Sequence, residues 1–160
     1  MKNIFLSLGS NLGARAENMA RAIAELSGHG VRVVQKSSWY ETEPVEFLAQ
    51  GWFLNGVVEV ETDLTPRELM QALLEIERSA GRERVAPKGP RIIDMDILLF
   101  GPLVLREAEL EIPHPRMTER RFVLVPLAEI AAGVVHPVLK KSVAELLAET
   151  RDRSEVRLFS

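Results

Sequence analysis

Two periodicities run through this chain, one of two residues and one of three to four, and their order predicts its elements. Residues 3–8 place Ile4, Leu6 and Leu8 on one side and Asn3, Phe5 and Ser7 on the other, the alternation of a strand. Gly9-Ser10-Asn11-Leu12-Gly13 is expected to break it, and Met19, Ile23 and Leu26 then recur at helical spacing until Gly28-His29-Gly30. Val31, Val33 and the run to Tyr40 predict a second strand, rich in β-branched and aromatic residues. From Thr42-Glu43-Pro44 to Gly51 the pattern lapses, as in a loop, before a third strand over Phe53–Thr62. Thr65-Pro66-Arg67-Glu68 is a helix start, with Thr as N-cap, Pro in the first helical position and Glu closing a capping box. Leu69, Leu73 and Ile76 give that helix an apolar face to about Ala80.

The next apolar run, Ile92-Ile93-Asp94-Met95-Asp96-Ile97-Leu98-Leu99-Phe100, contains two aspartates. As a strand it sends Asp94 and Asp96 to one face and Ile93, Met95 and Ile97 to a core on the other. The carboxylates are then roughly 6–7 Å apart at their backbones, within reach of a shared pair of divalent cations. A helix would separate them around its axis. The order to this point is βαββαβ, which predicts an α+β, ferredoxin-like core. Leu103-Val104-Leu105 suggests a short strand pairing back as a hairpin, and Pro113 and Pro115 exclude regular structure around His114. Residues 122–132 predict a buried helix interrupted at Pro126. Ser142 and Glu145 predict a capping box for a helix to about Glu149, and Val156-Arg157-Leu158 a closing strand. One domain over residues 1–160, built in three-layer fashion from this core and its C-terminal hairpin and helices, is the expectation.

Composition narrows the chemistry. The chain has no cysteine, so thiolate metal sites are excluded and any metal must use oxygen or imidazole ligands. Its formal net charge of −3 argues against wholesale binding to nucleic acid or anionic membranes. No signal peptide and no apolar run of membrane length is visible, which predicts a cytoplasmic protein.

Asp is depleted in strands, and a buried carboxylate is costly unless paired or metal-bound. Asp94 and Asp96 are therefore the candidate ligands, and carboxylates without Cys or clustered His favour Mg²⁺. Upstream lie Arg78, Arg82, Arg84, Lys88 and Arg91, interrupted by Gly81, Pro87, Gly89 and Pro90. Charge runs are usually solvated surface, but a Gly/Pro-broken basic loop beside paired acids suits a polyphosphate. His29 and His136 read as solvated loop residues, whereas His114 is held where a rigid backbone could aim it into a cleft. Gly9–Gly13 lacks the ending of a phosphate-binding P-loop and is assigned a structural role. Phe53 and Phe122 singly would be core, but the Asn55 amide within a strand must find partners.

In order, Gly9-Ser10-Asn11-Leu12-Gly13, Phe53-Leu54-Asn55, Gly81-Arg82-Glu83-Arg84, Gly89-Pro90-Arg91-Ile92-Ile93-Asp94-Met95-Asp96, Pro113-His114-Pro115-Arg116-Met117 and Arg120-Arg121-Phe122 form a distinctive set. On these motifs the chain resembles, over nearly its full length, the 6-hydroxymethyl-7,8-dihydropterin pyrophosphokinases of folate biosynthesis. The resemblance implies transfer of pyrophosphate from ATP to the hydroxymethyl group of a reduced pterin, with release of AMP. It implies two Mg²⁺ ions on Asp94 and Asp96, and catalytic roles at the phosphates for Arg82 and Arg91. Glu77, Arg84, His114 and Arg120 match residues of the ATP side. Phe53 and Phe122 match a pair that sandwiches the pterin, Asn55 an amide that reads its edge, and Thr42, Pro44 and Val45 a loop that contacts it through backbone groups. The partners implied are ATP and 6-hydroxymethyl-7,8-dihydropterin, with no nucleic acid and no membrane, and a monomer is expected. The chain departs from familiar members at Pro87, Lys88 and Pro115, and at Leu74 and Glu109, where some members carry Gln and Arg near the nucleotide. The alternatives are another ATP-dependent phosphotransferase on this scaffold, or a βαββαβ module binding RNA on its sheet.

Overall fold

The structure is a computed structural model describing residues 3–43, 51–81 and 92–159. In chain order its elements are β1 (Ile4–Ser10), α1 (Arg15–Gly28), β2 (Val31–Lys36), β3 (Tyr40–Thr42), β4 (Phe53–Thr62), α2 (Pro66–Ser79) and β5 (Asp94–Phe100). There follow β6 (Leu105–Arg106), β7 (Glu111–Ile112), a 3-10 turn at Met117–Glu119, α3 (Arg121–Ala131), α4 (Val143–Glu149) and β8 (Val156–Leu158). The β4 bounds, the α2 start and the α4 cap agree with the sequence pattern. At α2 and α4 the capping boxes are complete: Thr65 and Glu68, like Ser142 and Glu145, exchange side-chain and backbone hydrogen bonds.

β1 lies between β4 and β5 and is antiparallel to both. The sheet order is β5-β1-β4-β3-β8, with β2 pairing the far half of β4. β6 and β7 pair only with each other, so the segment after Gly101 forms its own small ribbon and does not extend the main sheet. The alternation of β1, β4 and β5 feeds two cores. Ile4, Leu6, Leu8, Leu54, Val58, Val60, Met95 and Ile97 face α1 and α2, where Met19, Leu26, Leu69, Leu73 and Ile76 meet them. Phe5, Val57, Leu98 and Leu99 face α3, where Val123, Leu127 and Ala131 meet them. Each of the Val, Leu, Ile, Phe and Met side chains buried there contributes about 1.5–3 kcal/mol of transfer free energy. The result is one α+β domain with helices on both faces of an antiparallel sheet.

Four expectations differ from what is found. β1 does not end at Leu8 but runs on through Gly9 to Ser10, because Gly9 still pairs with both neighbouring strands. The second strand is divided at Ser37–Trp39, where the Trp39 ring lies over Gly56; a Cβ on Gly56 would stand 2.1 Å from that ring. α3 passes through Pro126 unbroken, since Val123, Leu127 and Pro126 itself are buried and tertiary packing outweighs the missing backbone donor. His136 is buried, not solvated: its Nδ1 accepts from the backbone N–H of Val138 and Leu139, and its carbonyl accepts from the Lys140 N–H.

α3 is tied to the sheet by one carboxylate. Glu129 accepts hydrogen bonds from the Tyr40 hydroxyl at 2.7 Å, the Ser38 hydroxyl at 2.8 Å and the Ser38 N–H at 3.0 Å. Burial opposes its charge, but the Tyr40 and Ser38 donors more than compensate, and its pKa lies below the ordinary 4.5. Burial, then the bond to Glu129 and its charge, push Tyr40 up to about 12. The carboxylate therefore stabilises the fold above its ordinary range and loses that effect as pH falls through its depressed value. The phenol stabilises below its ordinary value and loses that effect as pH rises through about 12. Glu129→Gln should lower the melting temperature near neutral pH, with the gap from wild type closing at both the acid and the alkaline extreme in a pH series of thermal melts. Gly56→Ala should cost about 1–3 kcal/mol by overpacking against Trp39, measurable by urea denaturation.

Candidate active site

Register brings the singled-out residues together. Gly9 pairs with Asn55 on β4 and with Asp94 on β5, and Ser7 pairs with Val57 and Asp96. Directly paired residues share a face, so Asn55, Gly9 and Asp94 form one row across three strands, with Asp96 in the next row. Phe53, two residues before Asn55, lies on the same face, and Phe122 occupies the first turn of α3, which packs on β4. Ile93, Met95 and Ile97 point the other way into the core, as alternation requires.

The floor of this face depends on Gly9. A Cβ there would stand 2.6 Å from Asn55 Oδ1 and 3.6 Å from the Phe53 ring. Sequence reasoning assigns Gly9 to a turn and misses this role. The available signal is a glycine in a strand pattern, which often marks a close approach. Asn55 is buried and donates from Nδ2 to the Thr42 hydroxyl at 2.6 Å. Thr42 is thus the last residue of β3, engaged through its side chain, and not part of an irregular loop. Pro44 and Val45 lie outside the described residues, as do Arg82, Arg84, Pro87, Lys88 and Arg91.

On the other side, β5 is an edge strand facing a cavity of about 400 Å³. Asp94, Asp96, Glu77, His114, Leu74 and Glu109 are among its lining residues. The edge is closed at two points: Met95 N–H donates to Glu77 Oε2 at 2.7 Å, and His114 N–H donates to the Leu98 carbonyl at 2.9 Å. Glu77, buried on α2, therefore holds the backbone between the two aspartates. Arg120 lines a different cavity, of about 610 Å³, with Phe122, and its guanidinium lies 5.6 Å from that ring's centroid.

Burial, then the charges of Arg120 and Arg116, push the His114 imidazole down to about 4, against a smaller opposing effect of Asp94. Its Nδ1 accepts from the Arg116 N–H at 3.1 Å, so the neutral ring carries its proton on Nε2 and offers a donor. A cavity with two half-buried carboxylates and a neutral imidazole can hold a metal–polyphosphate, and Asn55 with Phe53 on the same sheet face offers an amide and a ring to a flat heterocycle. Mg²⁺ fits the donor set, because it commonly takes one or two protein carboxylates and completes its shell with phosphates and water. Among the described residues no third acidic or imidazole group completes a closed metal cage.

Gly9→Ala should dislodge Asn55 and break its bond to Thr42. Displacement of the Asn55 side-chain amide resonances in a ¹H–¹⁵N spectrum, with the core resonances in place, is the expected outcome.

A profile of the family 7,8-dihydro-6-hydroxymethylpterin-pyrophosphokinase matches residues 5–132. The chain is 47% identical over 136 residues to the 2-amino-4-hydroxy-6-hydroxymethyldihydropteridine pyrophosphokinase of Bacillus subtilis, covering 84% of this chain and 81% of that protein. It is 42% identical over 150 residues to the enzyme of the same name from Methylorubrum extorquens, covering 93% and 94%. Against the folic acid synthesis protein fol1 of Pneumocystis carinii the identity is 42% over 149 residues, but the chain spans only 20% of that longer protein. Among solved structures, wild-type Plasmodium falciparum HPPK-DHPS with pteroate superposes with a TM-score of 0.72 at 15% identity, over 93% of this chain and 45% of that one. That likeness shows the fold.

Proposed function

We propose that this chain, which belongs to the 7,8-dihydro-6-hydroxymethylpterin-pyrophosphokinase family, transfers pyrophosphate from ATP to the hydroxymethyl group of 6-hydroxymethyl-7,8-dihydropterin, yielding AMP and the pterin diphosphate for folate biosynthesis. The observation that carries this reading is the single row Asn55–Gly9–Asp94, which puts Asn55 and Phe53 on the same sheet face as Asp94 and Asp96; we read the first pair, with Phe122, as the pterin slot and the second as the metal ligands.

The pterin enters between Phe53 and Phe122, and Asn55 reads its polar edge while Thr42 fixes the amide. ATP lies along β5, with Glu77 and His114 at its cavity and Arg120 beside the aromatic slot. Asp94 and Asp96 are the ligands for Mg²⁺, two ions in this reading, and bound there the metal supplies neutralisation of the phosphate charge. The substrate hydroxyl attacks the β-phosphorus, the bond to the α-phosphate oxygen breaks, AMP leaves, and the hydroxyl proton passes to solvent. No strong base is needed: His114 is neutral and serves as a hydrogen-bond donor, and catalysis is positioning plus electrostatics. Arg82 and Arg91 are assigned to the phosphates and Arg84 to ATP, while Pro44 and Val45 are assigned to the pterin.

The strand order supports a ferredoxin-like core for a single domain, and we read the protein as a cytoplasmic monomer. An RNA module reading bases on sheet aromatics is disfavoured, because α3 covers the face on which Phe53 lies.

Incubation with MgATP and 6-hydroxymethyl-7,8-dihydropterin should release AMP; ADP as the product would mark a different phosphotransferase. Asp94→Ala and Asp96→Ala should each lower AMP formation by roughly a thousandfold while melting like wild type. Near-normal turnover in a folded variant would remove the metal assignment.

A further inference from the structure

The reverse face of the sheet carries a cluster that the reaction does not use. Arg15, in the first turn of α1, donates from Nη2 to Glu41 Oε2 at 2.8 Å and from Nη1 to the Trp52 carbonyl at 3.0 Å. Glu41 lies on β3 and pairs with Leu54, whose side chain is in the core beneath α1 and α2. The two acceptors immediately precede Thr42 and Phe53, which pair with each other on the opposite face. A single planar guanidinium thus fastens β3 to the entrance of β4 directly behind the slot.

The surroundings reinforce the fastening. Asn11 donates to the Gly51 carbonyl at 3.4 Å, so the β1–α1 connection holds this strand entrance at two successive carbonyls. Arg157 on β8 stacks 4.3 Å from the Trp52 ring centroid and lies 3.6 Å from Glu41 Oε1. The hydrogen bond from Arg15 leads the effects that hold Glu41 below the ordinary carboxylate range.

We propose that Arg15 is a positioning residue for the pterin, acting through Glu41 and Trp52 on Thr42, Phe53 and Asn55 without touching substrate. The Asn55–Thr42 bond at 2.6 Å survives only while β3 and β4 keep their spacing and register. A planar fork with two donors in fixed geometry spans both acceptors, whereas the compact ammonium of lysine is not pre-organised to reach the two together. The strand assigned to ATP is β5, two strands from β4 and three from β3, and the Arg15 fastening does not extend to it. Its loss should therefore be selective between the two substrates.

This inference rests on the proposed pterin slot, and its test separates the two. Arg15→Met should weaken binding of 6-hydroxymethyl-7,8-dihydropterin, titrated by its own fluorescence, by roughly tenfold, with the KM for ATP within about twofold of wild type. Arg15→Lys should fall between Met and wild type. Pterin affinity within twofold of wild type in folded Arg15→Met, or equal loss for both substrates, would overturn the proposal. If Arg15→Met does not fold, Glu41→Gln supplies the same comparison, since the neutral amide weakens the charged contact at the same atoms. Displacement of the Asn55 side-chain amide resonances in these variants is a substrate-independent readout, and unmoved resonances also overturn it. Wild-type protein that forms no AMP would count against the proposed function, not against the fastening.

Discussion

The register of β1 between β4 and β5 is the constraint on which the rest depends. Gly9 faces both Asn55 and Asp94, and its missing side chain leaves the space that Asn55 and Phe53 occupy. A slip of one residue would turn Ile4, Leu6 and Leu8 out of the core and carry Gly9 to the wrong face. The hydrophobic effect therefore fixes the site geometry. The slot and the acid pair are separated by two interstrand spacings, about 9–10 Å, a span suited to a flat ring joined through a short link to a phosphate chain.

The ends of this row are finished differently. At β5 the exposed backbone is closed by Glu77 and His114, so an edge strand becomes a wall without pairing to another strand. Burial and neighbouring arginines keep the imidazole neutral, which leaves it a donor and adds no positive charge to compete with metal. At β4 the wall is aromatic, and Thr42 satisfies one donor of an otherwise buried amide. In the proposed reading, one side is suited to charge and the other to a planar, hydrogen-bonding ring.

Much of this was legible in the residues. The period-two pattern of β1, β4 and β5 and the capping residues of α2 and α4 act locally, so the chain carries them openly. Asp94 and Asp96 stood out because acids in an apolar strand demand a reason. What escaped is non-local. Gly9 resembles a strand breaker until its cross-strand neighbours are known, and His136 resembles a loop residue until the turn around its ring is seen. The unbroken helix through Pro126 and the divided strand at Trp39 likewise follow from packing against distant elements. The assignments at Pro44, Val45, Arg82, Arg84 and Arg91 rest on motif alone.

A site whose groups come from strand ends must take its rigidity from whatever holds those ends. On the front face that is α3, fixed to the β2–β3 connection by the three donors converging on Glu129. On the reverse face it is the N-terminal turn of α1, through Arg15, with β8 adding Arg157 from the far end of the chain. Neither Glu129 nor Arg15 is among the residues assigned to the cleft, and each joins elements distant in sequence. β3 is only three residues long, yet it carries Thr42 and contacts all of these supports. Preorganisation of the proposed slot is therefore a property of how β3 is held, and the chemistry proposed at β5 would proceed on a surface already fixed by β1 and β4.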